Sequence, residues 1–265
     1  SETMLITTRF FPTGRIGGSR AHKVLERNVI VYRRNWTIIV SGFFEPIFYL
    51  LGIGFGLGTL VGDVGDIPYA AFVAPGLMAT AAMNGALFES TFNLFFKLKY
   101  AKTFDAILST PLGPSDIAIG EVSWALTRGL LYATAFLVVM LALGLVLSPL
   151  GLLMVPGALL IGLAAAAVGM AATTFMRSWK DFDVITVVTM PIFLFSGTFY
   201  AICVYPDWLE TIVEVTPLYR GVHMMRAFST GQVDETVLID IAYLAIVGFV
   251  GVSITARRLQ GLLLK

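Results

Sequence analysis

Long apolar stretches alternate with short polar ones along most of this chain. Six apolar stretches reach the ~20 residues that an α-helix needs to cross the ~30 Å hydrocarbon core of a bilayer. Stretches of this length predict transmembrane helices rather than buried helices of a globular core. The six predicted spans are residues 36–60, 69–96, 117–147, 150–176, 184–204 and 237–256. Only Ser148 and Pro149 separate the third span from the fourth, which predicts a tight helical hairpin.

Three polar segments are not apolar enough to span. Residues 19–34 place Val24, Leu25, Val29 and Val31 among basic residues, which predicts an amphipathic helix on the cytoplasmic membrane surface. An ordinary basic extension is the alternative. Residues 205–232 are divided by Pro217 and predict two short outer helices, half-buried or re-entrant. The third segment, about residues 99–114, predicts a short cytoplasmic helix between spans two and three.

The pattern as a whole predicts an all-α membrane protein with six transmembrane helices. In this prediction residues 1–34 form a cytoplasmic N-terminus that carries the amphipathic helix. Residues 35–258 form a single transmembrane domain, and residues 259–265 form a cytoplasmic tail.

Composition also favours a membrane environment. Hydrophobic residues make up 57% of the chain and charged residues only 13%, whereas soluble domains have about 25% charged residues. A globular core cannot take up this much apolar surface, so lipid is the expected solvent.

The net charge of +1 predicts nothing about partners. The single cysteine, Cys203, excludes an internal disulfide framework.

Lysine and arginine are distributed unequally between the predicted loops. Fifteen of the 18 lie before span one, between spans two and three, between spans four and five, or after span six. Arg220 and Arg226 lie on the other side, and Arg128 lies within span three. The positive-inside rule therefore predicts that both termini are cytoplasmic.

Glycines recur at helical spacing near the end of span one, in LGIGFGLGTLVG. Gly52 with Gly56, and Gly54 with Gly58, form two interleaved GxxxG pairs, which let helices approach closely in lipid. A dinucleotide-binding loop is excluded because no strand precedes these glycines. Packing within one subunit and contact between two subunits both stay open.

Several ionisable residues fall inside predicted spans, where an unpaired charge is costly. Glu45 lies near the middle of span one and is followed by Pro46, which should bend the helix. Glu89 lies in the inner half of span two, and Glu121 and Arg128 lie seven residues apart in span three. We expect Arg128 to pair with Glu45 or Glu89. Such a pair either fixes helix register or lines a substrate path.

The sequence lacks the motifs of common enzymatic chemistry. It contains no GxxxxGK[ST] phosphate-binding loop. His22 and His223 are predicted on opposite sides of the membrane, and no HExxH motif provides a metal site. The sequence therefore predicts a chain that is not an enzyme and holds no cofactor of its own. A transporter component, a channel and a membrane scaffold remain.

The stretch KTFDAILSTPLGPSDIAIGE, residues 102–121, predicts a short helix and a break. Thr103 is a suitable N-cap, and Phe104, Ile107 and Leu108 are expected to form a small apolar knob. Such a helix would press on a soluble partner and pass its motion to both attached spans. An ordinary polar loop is the alternative.

Two prolines end this helix, because Pro111 and Pro114 lack a backbone donor and restrict the residues before them. Ser115 or Asp116 is expected to cap the helix that follows.

The order of these segments resembles the permease subunits of ABC-2 type exporters. TFDAILSTPLGPSDIAIGE resembles their coupling helix and its return into span three, and ERNVIVYRRNW, residues 26–36, resembles their interfacial helix. GFFEPIFYLLGIGFGLG, residues 42–58, is similar to the nodulation (lipo-oligosaccharide) and daunorubicin-type branches. FLFSGTFY together with PDWLETIVEVTPLYRGVHMMRAF, ending at residue 228, resembles their fifth span and outer re-entrant helices. The resemblance covers about residues 20–258.

The resemblance implies a division of labour between subunits. Two permeases, identical or related, would form the pathway in a prokaryotic plasma membrane. Two copies of a separate ATPase subunit would bind ATP and Mg²⁺. The residues implied in docking that ATPase are Thr103, Phe104, Asp105, Ile107, Leu108 and Pro111. The interfacial-helix residues implied in seating it are Lys23, Leu25, Arg27, Val29, Arg33 and Arg34. Membrane lipid is the other expected partner, and no nucleic acid is expected.

An amphipathic cargo is expected from the same resemblance, either a lipid-linked or lipid-modified glycan or a hydrophobic drug-like molecule. Aromatic rings suit both sugar and lipid faces. The candidate wall residues are Phe43, Phe44, Phe48, Phe88, Phe92, Phe193, Phe195, Phe199 and Tyr200. Lipid contact or helix packing is the alternative for each of them.

A self-contained secondary transporter or channel is the rival interpretation. It would use Glu45 and Glu89 as ion-binding acids and often contains an inverted repeat. Residues 35–147 and 150–256 show no convincing repeat of each other. A scaffold that transports nothing is a third interpretation.

Overall fold

Helices make up most of the chain in the computed structural model, which describes residues 20–34, 44, 47–101 and 103–263. The described helices are α1 (Ala21–Arg34), α2 (Ile47–Val61), α3 (Tyr69–Tyr100), α4 (Thr103–Leu108), α5 (Pro114–Ala142), α6 (Pro149–Thr173), α7 (Asp181–Phe195), α8 (Asp207–Glu214), α9 (Pro217–Thr230) and α10 (Glu235–Leu263). Wide π-helical turns occupy Leu50–Leu57 of α2 and Glu89–Asn93 and Phe96–Tyr100 of α3. Tight 3₁₀ turns occupy Pro149–Leu153, at the start of α6, and Ile202–Val204.

A small hairpin joins α2 to α3, and the sequence pattern did not predict it. Strands β1 (Asp63–Val64) and β2 (Ile67–Pro68) pair antiparallel, with Val64 opposite Ile67. Gly65 begins the two-residue turn with a φ of +63°, which suits a glycine in a hairpin turn.

Four of the described helices are long and apolar enough to cross a membrane. They are α3, residues Ser115–Ala142 of α5, α6, and Glu235–Leu259 of α10. These match the predicted second, third, fourth and sixth spans. The predicted first span is described only from α2, a shorter apolar helix, together with Phe44. Phe43, Glu45 and Pro46 lie outside the described residues, so six spans stay a prediction.

The predicted fifth span was wrong in its second half. Helix α7 has 15 residues and ends at Phe195 instead of continuing to residue 204. The Ser196 hydroxyl donates to the carbonyl of Phe193 at 2.7 Å and lies 2.8 Å from the Thr198 hydroxyl. Gly197 then turns the chain with a φ of +72°. The residues that follow Phe195 remain largely apolar, and this is why the sequence pattern predicted a longer span.

Spans three and four do pack against each other as a helical hairpin, but the predicted two-residue connection between them was wrong. Helix α5 ends at Ala142, five residues earlier than expected, and α6 begins at Pro149. Gly144 takes a φ of +67°, and the N–H of Leu147 donates to the carbonyl of Ser229 at 3.0 Å. The connection is therefore a short segment held against α9.

Helix α3 lies at the centre of the bundle. Its most apolar window is 72% buried, against 28% for that of α10. Small residues such as Ala71, Ala74 and Ala79 are almost completely covered, and a side chain at Gly76 would meet the backbone of Thr198. Small residues let helices approach closely where lipid provides no hydrophobic driving force. The core therefore forms around α3, with α5, α6, α9 and α10 contributing to it.

Helix α1 packs its apolar face on α5. Ala21, Val24 and Asn28 are buried, and a Cβ atom at Gly120 would lie only 2.5 Å from Cβ of Val24. Val29, Ile30 and Val31 remain exposed. The amphipathic helix predicted at residues 19–34 is thus present, with one apolar surface on the protein and another available to lipid.

Candidate functional site

A cluster of charged side chains is buried between α3 and α5, and we call it the charge cluster. It consists of Glu89 and Lys97 from α3 and Glu121 and Arg128 from α5. Their side chains are 1%, 13%, 4% and 8% exposed, respectively. Two carboxylates face two cations, so the cluster can be buried without net charge. Paired charges are the form in which ionisable residues are tolerated inside membranes.

The charge cluster is held together by direct contacts. Arg128 forms an ion pair with Glu89 and donates from Nη2 to the Tyr132 hydroxyl at 3.0 Å. Lys97 Nζ donates to Oε2 of Glu121 at 2.6 Å and lies 3.9 Å from Oε1 of Glu89. Asn93 Nδ2 donates to Oε2 of Glu89 at 2.6 Å. These contacts fix the register of α3 against α5.

The charge cluster also reaches α1. Lys97 Nζ lies 3.5 Å from Oδ1 of Asn28, a buried side chain on the face of α1 that packs on α5. Lys97 therefore connects three helices through Glu89, Glu121 and Asn28.

The predicted pairing of Arg128 with Glu89 is confirmed, whereas Glu45 lies outside the described residues. Sequence reasoning missed Lys97, because it assigns this residue to a loop. The spacing of Glu89, Asn93 and Lys97 at four-residue steps was the available signal, since such residues share one face of a helix.

Helix α4 differs from the predicted exposed knob. Phe104 is 1% exposed and Ile107 is 8% exposed, and both pack within the chain against Leu94, Ile117 and Leu259. Apolar side chains prefer this interior cluster to water. Contact of Phe104 or Ile107 with a partner would require them to leave it.

The outward surface of this region consists of Ala106 and the residues that follow the helix, Ser109, Thr110 and Pro111. The side chains of four other predicted contact residues lie outside the part of the chain that the structure describes. They are Asp105 and Leu108 of α4 and Arg33 and Arg34 of α1.

The turn after α4 is tied to α1. Arg20 Nη1 donates to the carbonyl of Pro111 at 2.7 Å, and the Arg20 backbone N–H donates to Oδ1 of Asp116 at 3.1 Å. The other carboxylate oxygen of Asp116 accepts from the N–H of Gly113 at 3.0 Å. Asp116 thus caps α5 from within its first turn. The expectation that Ser115 or Asp116 caps this helix is confirmed for Asp116, which acts from the third helical position while Gly113 occupies the N-cap position.

The candidate wall aromatics do not form one surface. Phe88 and Phe92 stack at 4.9 Å, and Phe92 stacks on Phe182 of α7 at 4.1 Å. Phe44 and Phe48 stack at 5.9 Å on an exposed part of the chain near α2. The remaining rings pair near the end of α7: Phe193 with Phe199, Phe195 with Tyr205, and Tyr200 with Tyr205.

The two GxxxG pairs face different directions. A Cβ atom at Gly54 would meet Ala70 at 3.6 Å, and one at Gly58 would meet Tyr69 at 3.9 Å, so this pair faces α3. Gly52 and Gly56 would meet nothing within 4 Å among the described residues. Packing within the subunit is therefore found for one pair, and the other pair lies on an open surface.

A second polar group lies around Asp240 of α10, whose side chain is completely buried. Arg220 Nη1 lies 3.2 Å from Oδ1 of Asp240, and Nδ1 of His223 lies 2.6 Å from Oδ2. These contacts fasten α9 to α10. A single acid within an otherwise apolar stretch, VLIDIAYLAIVGF, was the signal that sequence reasoning overlooked.

Arg226 fastens α9 to the turn after α7. It donates to the carbonyl of Gly197 at 2.8 Å and to the carbonyl of Phe72 at 3.3 Å. Its guanidinium also lies over the ring of Phe72, 3.8 Å from the centroid. The same side chain therefore joins α9, α3 and the segment that follows α7.

Hydrogen bonds lower the pKa of Asp181, at the start of α7. Its carboxylate accepts from the N–H groups of Arg177 and Ser178, at 2.7 and 3.0 Å, and these bonds favour the ionised form. A lowered pKa in the folded state means that this contribution to stability is present at neutral pH. It is lost only as the pH falls through the lowered value.

Comparison with known proteins places this architecture among transporters. Residues 22–228 match a family model described as ABC-2 type transporter. Nodulation protein J of Rhizobium leguminosarum bv. trifolii is 33% identical over 242 residues, 89% of this chain and 92% of that protein. Nodulation protein J of Rhizobium meliloti is 30% identical over 88% of this chain and 94% of its own length. The inner membrane transport permease YadH of Escherichia coli is 24% identical, with 76% of this chain and 77% of that protein covered.

Proposed function

Because this chain belongs to the ABC-2 type transporter family, we propose that it is the membrane-spanning permease of an ATP-driven exporter. ATP would be bound and hydrolysed by a separate ATPase subunit present in two copies. A second permease, identical or related, would complete the pathway. The complex would lie in a prokaryotic plasma membrane with both termini of this chain in the cytoplasm, as the distribution of lysine and arginine supports.

One observation carries the proposed coupling role: α4 is mechanically joined to the elements around it. Phe104 anchors α4 to the ends of α3, α5 and α10. Arg20 ties the turn after α4 to α1, and Lys97 ties α1 to the charge cluster. A force applied to the outer surface of α4 would therefore reach α1, α3 and α5 together. An ordinary polar loop would not be fastened in this way.

The proposed ATPase-docking surface is the exposed side of α4 and the turn after it. Ala106, Ser109, Thr110 and Pro111 are exposed there. Phe104 and Ile107 would act by anchoring the helix from within rather than by touching the partner. Substitutions on the two sides of α4 should therefore have different consequences.

Co-purification tests this proposal. The permease is expressed with the ATP-binding protein encoded beside it, purified through a tag on the permease, and assayed for ATP hydrolysis. We expect Ala106→Arg to release the ATPase while thermal unfolding of the permease stays unchanged. Phe104→Asp should instead destabilise the permease itself, because it buries an unpaired charge.

The matched control is Gln232→Arg, which adds the same charge at an exposed position on the predicted outer side. This variant should keep both the ATPase and its hydrolysis of ATP. If no ATPase associates with the wild-type chain, the proposal fails. If Ala106→Arg and Gln232→Arg retain the ATPase equally, the docking surface lies elsewhere.

We propose an amphipathic cargo, a lipid-linked or lipid-modified glycan or a hydrophobic drug-like molecule. The resemblance of residues 42–58 to the nodulation (lipo-oligosaccharide) branch supports the glycan. The rival of an ATP-independent transporter needs an acid free to bind an ion. Glu89 is engaged by Arg128, Asn93 and Lys97, which disfavours that role.

A further inference from the structure

Helix α7 stands between two cavities. The first, which we call the apolar crevice, has a volume of about 310 Å³ and lies between α7, α6 and α3, with the start of α9 closing one end. The second, which we call the aromatic pocket, has a volume of about 260 Å³ and lies between α7 and α3. Leu87, Ile185 and Thr189 border both cavities, so the two adjoin along α7.

The apolar crevice offers almost nothing but hydrocarbon. Thr189 carries the one polar side chain among the described residues that line it. The Thr189 hydroxyl donates to the carbonyl of Ile185 at 2.7 Å, so its donor is already used within α7. The Thr189 oxygen can still accept one hydrogen bond, so a polar ligand would lose its hydration here for at most one hydrogen bond. A hydrocarbon chain has no polar groups to desolvate, so it does not incur this cost on entering the crevice.

The length of the apolar crevice matches one leaflet of a bilayer. On α6 its lining runs from Ile161 to Ala172, with Ala165, Val168 and Gly169 between them. About eleven residues at ~1.5 Å each extend ~16 Å along the helix axis. This is about half of the ~30 Å hydrocarbon core. A single acyl chain that lies parallel to the acyl chains of the membrane lipids would extend over this length.

The aromatic pocket differs in chemistry from the apolar crevice. Asn84, Thr91 and Thr186 contribute polar side chains, and the stacked rings of Phe88 and Phe92 provide an aromatic surface. None of the described residues that line either cavity is charged. The hydroxyls of Thr91 and Thr186 donate to the carbonyls of Leu87 and Phe182, so they can only accept from a ligand, whereas the Asn84 amide can both donate and accept. Hydroxyl and amide groups can therefore be accommodated there, whereas a phosphate would find no cation to neutralise it.

We propose that the apolar crevice binds one acyl chain of the exported amphiphile, with an uncharged polar head group in the aromatic pocket. This rests on the proposed function only in that the chain moves an amphiphile. Helix α7 would then lie between the two halves of the same molecule, and Thr189 would mark the boundary between them.

Photo-crosslinking on the full chain in phosphatidylcholine nanodiscs tests this site, with no ATP or ATPase present. The probe is a hexadecyl glucoside with a diazirine at the end of its alkyl chain. Crosslinks should map to α6 and α7 residues of the apolar crevice. Val188→Phe, which fills the crevice, should reduce this labelling about ten-fold. Val187→Phe should not, because Val187 is not among the described residues that line either cavity.

Competition identifies the occupant. Unlabelled hexadecyl glucoside should displace the probe about ten times better than hexadecyl phosphocholine, a difference of ~1.4 kcal/mol. Equal labelling of the two valine variants would overturn the site. Equal competition would assign the crevice to a membrane lipid and overturn the cargo assignment. Since the assay contains no ATPase, its failure is separate from failure of the co-purification test.

Discussion

At the scale of single residues, the charge cluster shows how this chain tolerates ions away from water. Glu89 and Arg128 pair with each other, and each has a further hydrogen-bond partner, Asn93 for Glu89 and Tyr132 for Arg128. Burying two opposite charges gains little net free energy, but removing one partner leaves the other buried and uncompensated. The contribution of each residue therefore depends on the presence of the other.

Arg128→Met should lower the free energy of unfolding by about 3–5 kcal/mol, because the buried carboxylates of Glu89 and Glu121 would then share Lys97 as the one remaining cation of the charge cluster. Combining it with Glu89→Gln should restore part of that loss. Thermal unfolding in detergent measures both effects. Lys23→Met serves as a control, since its pair with Glu26 is exposed to water and adds little to stability. Full stability of Arg128→Met would contradict a structural role for the pair.

At the scale of elements, close helix contacts depend on individual glycines. Gly120 lets α1 lie against α5, whereas a side chain at Gly129 on the same helix would meet nothing within 4 Å among the described residues. The two positions share a helix and a residue type and differ in what surrounds them.

Gly120→Ala should destabilise the docking of α1 by about 1–3 kcal/mol, because its methyl group would overlap Val24. Gly129→Ala should be neutral, or stabilising by about 0.5–1 kcal/mol, since alanine favours a helix. Limited proteolysis of α1, with thermal unfolding alongside, compares the two variants. Equal protection of α1 in both would mean that the contact between Gly120 and Val24 does not hold this helix in place.

Sequence patterns predicted long helices better than their ends. The start of α3 at Tyr69 followed from the apolar run. The Glu89–Arg128 pair was one of the two pairings expected from the cost of unpaired charges inside spans, the other being Glu45 with Arg128. The end of α7 did not follow from the sequence pattern, because Ser196 and Gly197 interrupt a segment that remains apolar. The direction of Phe104 could not be predicted, since a six-residue helix with apolar side chains fits either a partner or the rest of its own chain.

At the scale of the whole molecule, the two faces of α2 have different surroundings. One face packs within the subunit, and the other is open to a second subunit. Gly54 and Gly58 contact α3 within the subunit, while Gly52 and Gly56 lie on an open face of a helix that also exposes Phe48. A second permease would find there a surface on which helix backbones can approach closely.

Gly56→Leu should weaken association of two permeases about ten-fold or more while leaving thermal unfolding of the subunit unchanged, because close backbone approach is lost. Gly54→Leu should instead destabilise the subunit, since its side chain would meet Leu50 and Ala70. Light scattering in detergent gives the oligomeric state of each variant. Unchanged association in Gly56→Leu would place the contact between permeases elsewhere.

The charge cluster also has a consequence for how the chain enters the membrane during synthesis. Helix α3 carries Glu89 and is made before its ion-pair partner Arg128 exists, yet a charged side chain inside a span costs up to about 2.5–3.5 kcal/mol on insertion. We expect α3 to stay beside the insertion machinery until α5 has been synthesised, so that the two helices enter the membrane together. Helix α1 should dock even later, because Pro111 and Asp116, which bind Arg20, are synthesised about ninety residues after it. Membrane insertion of this permease would thus proceed by pairs of interacting helices rather than by one helix at a time.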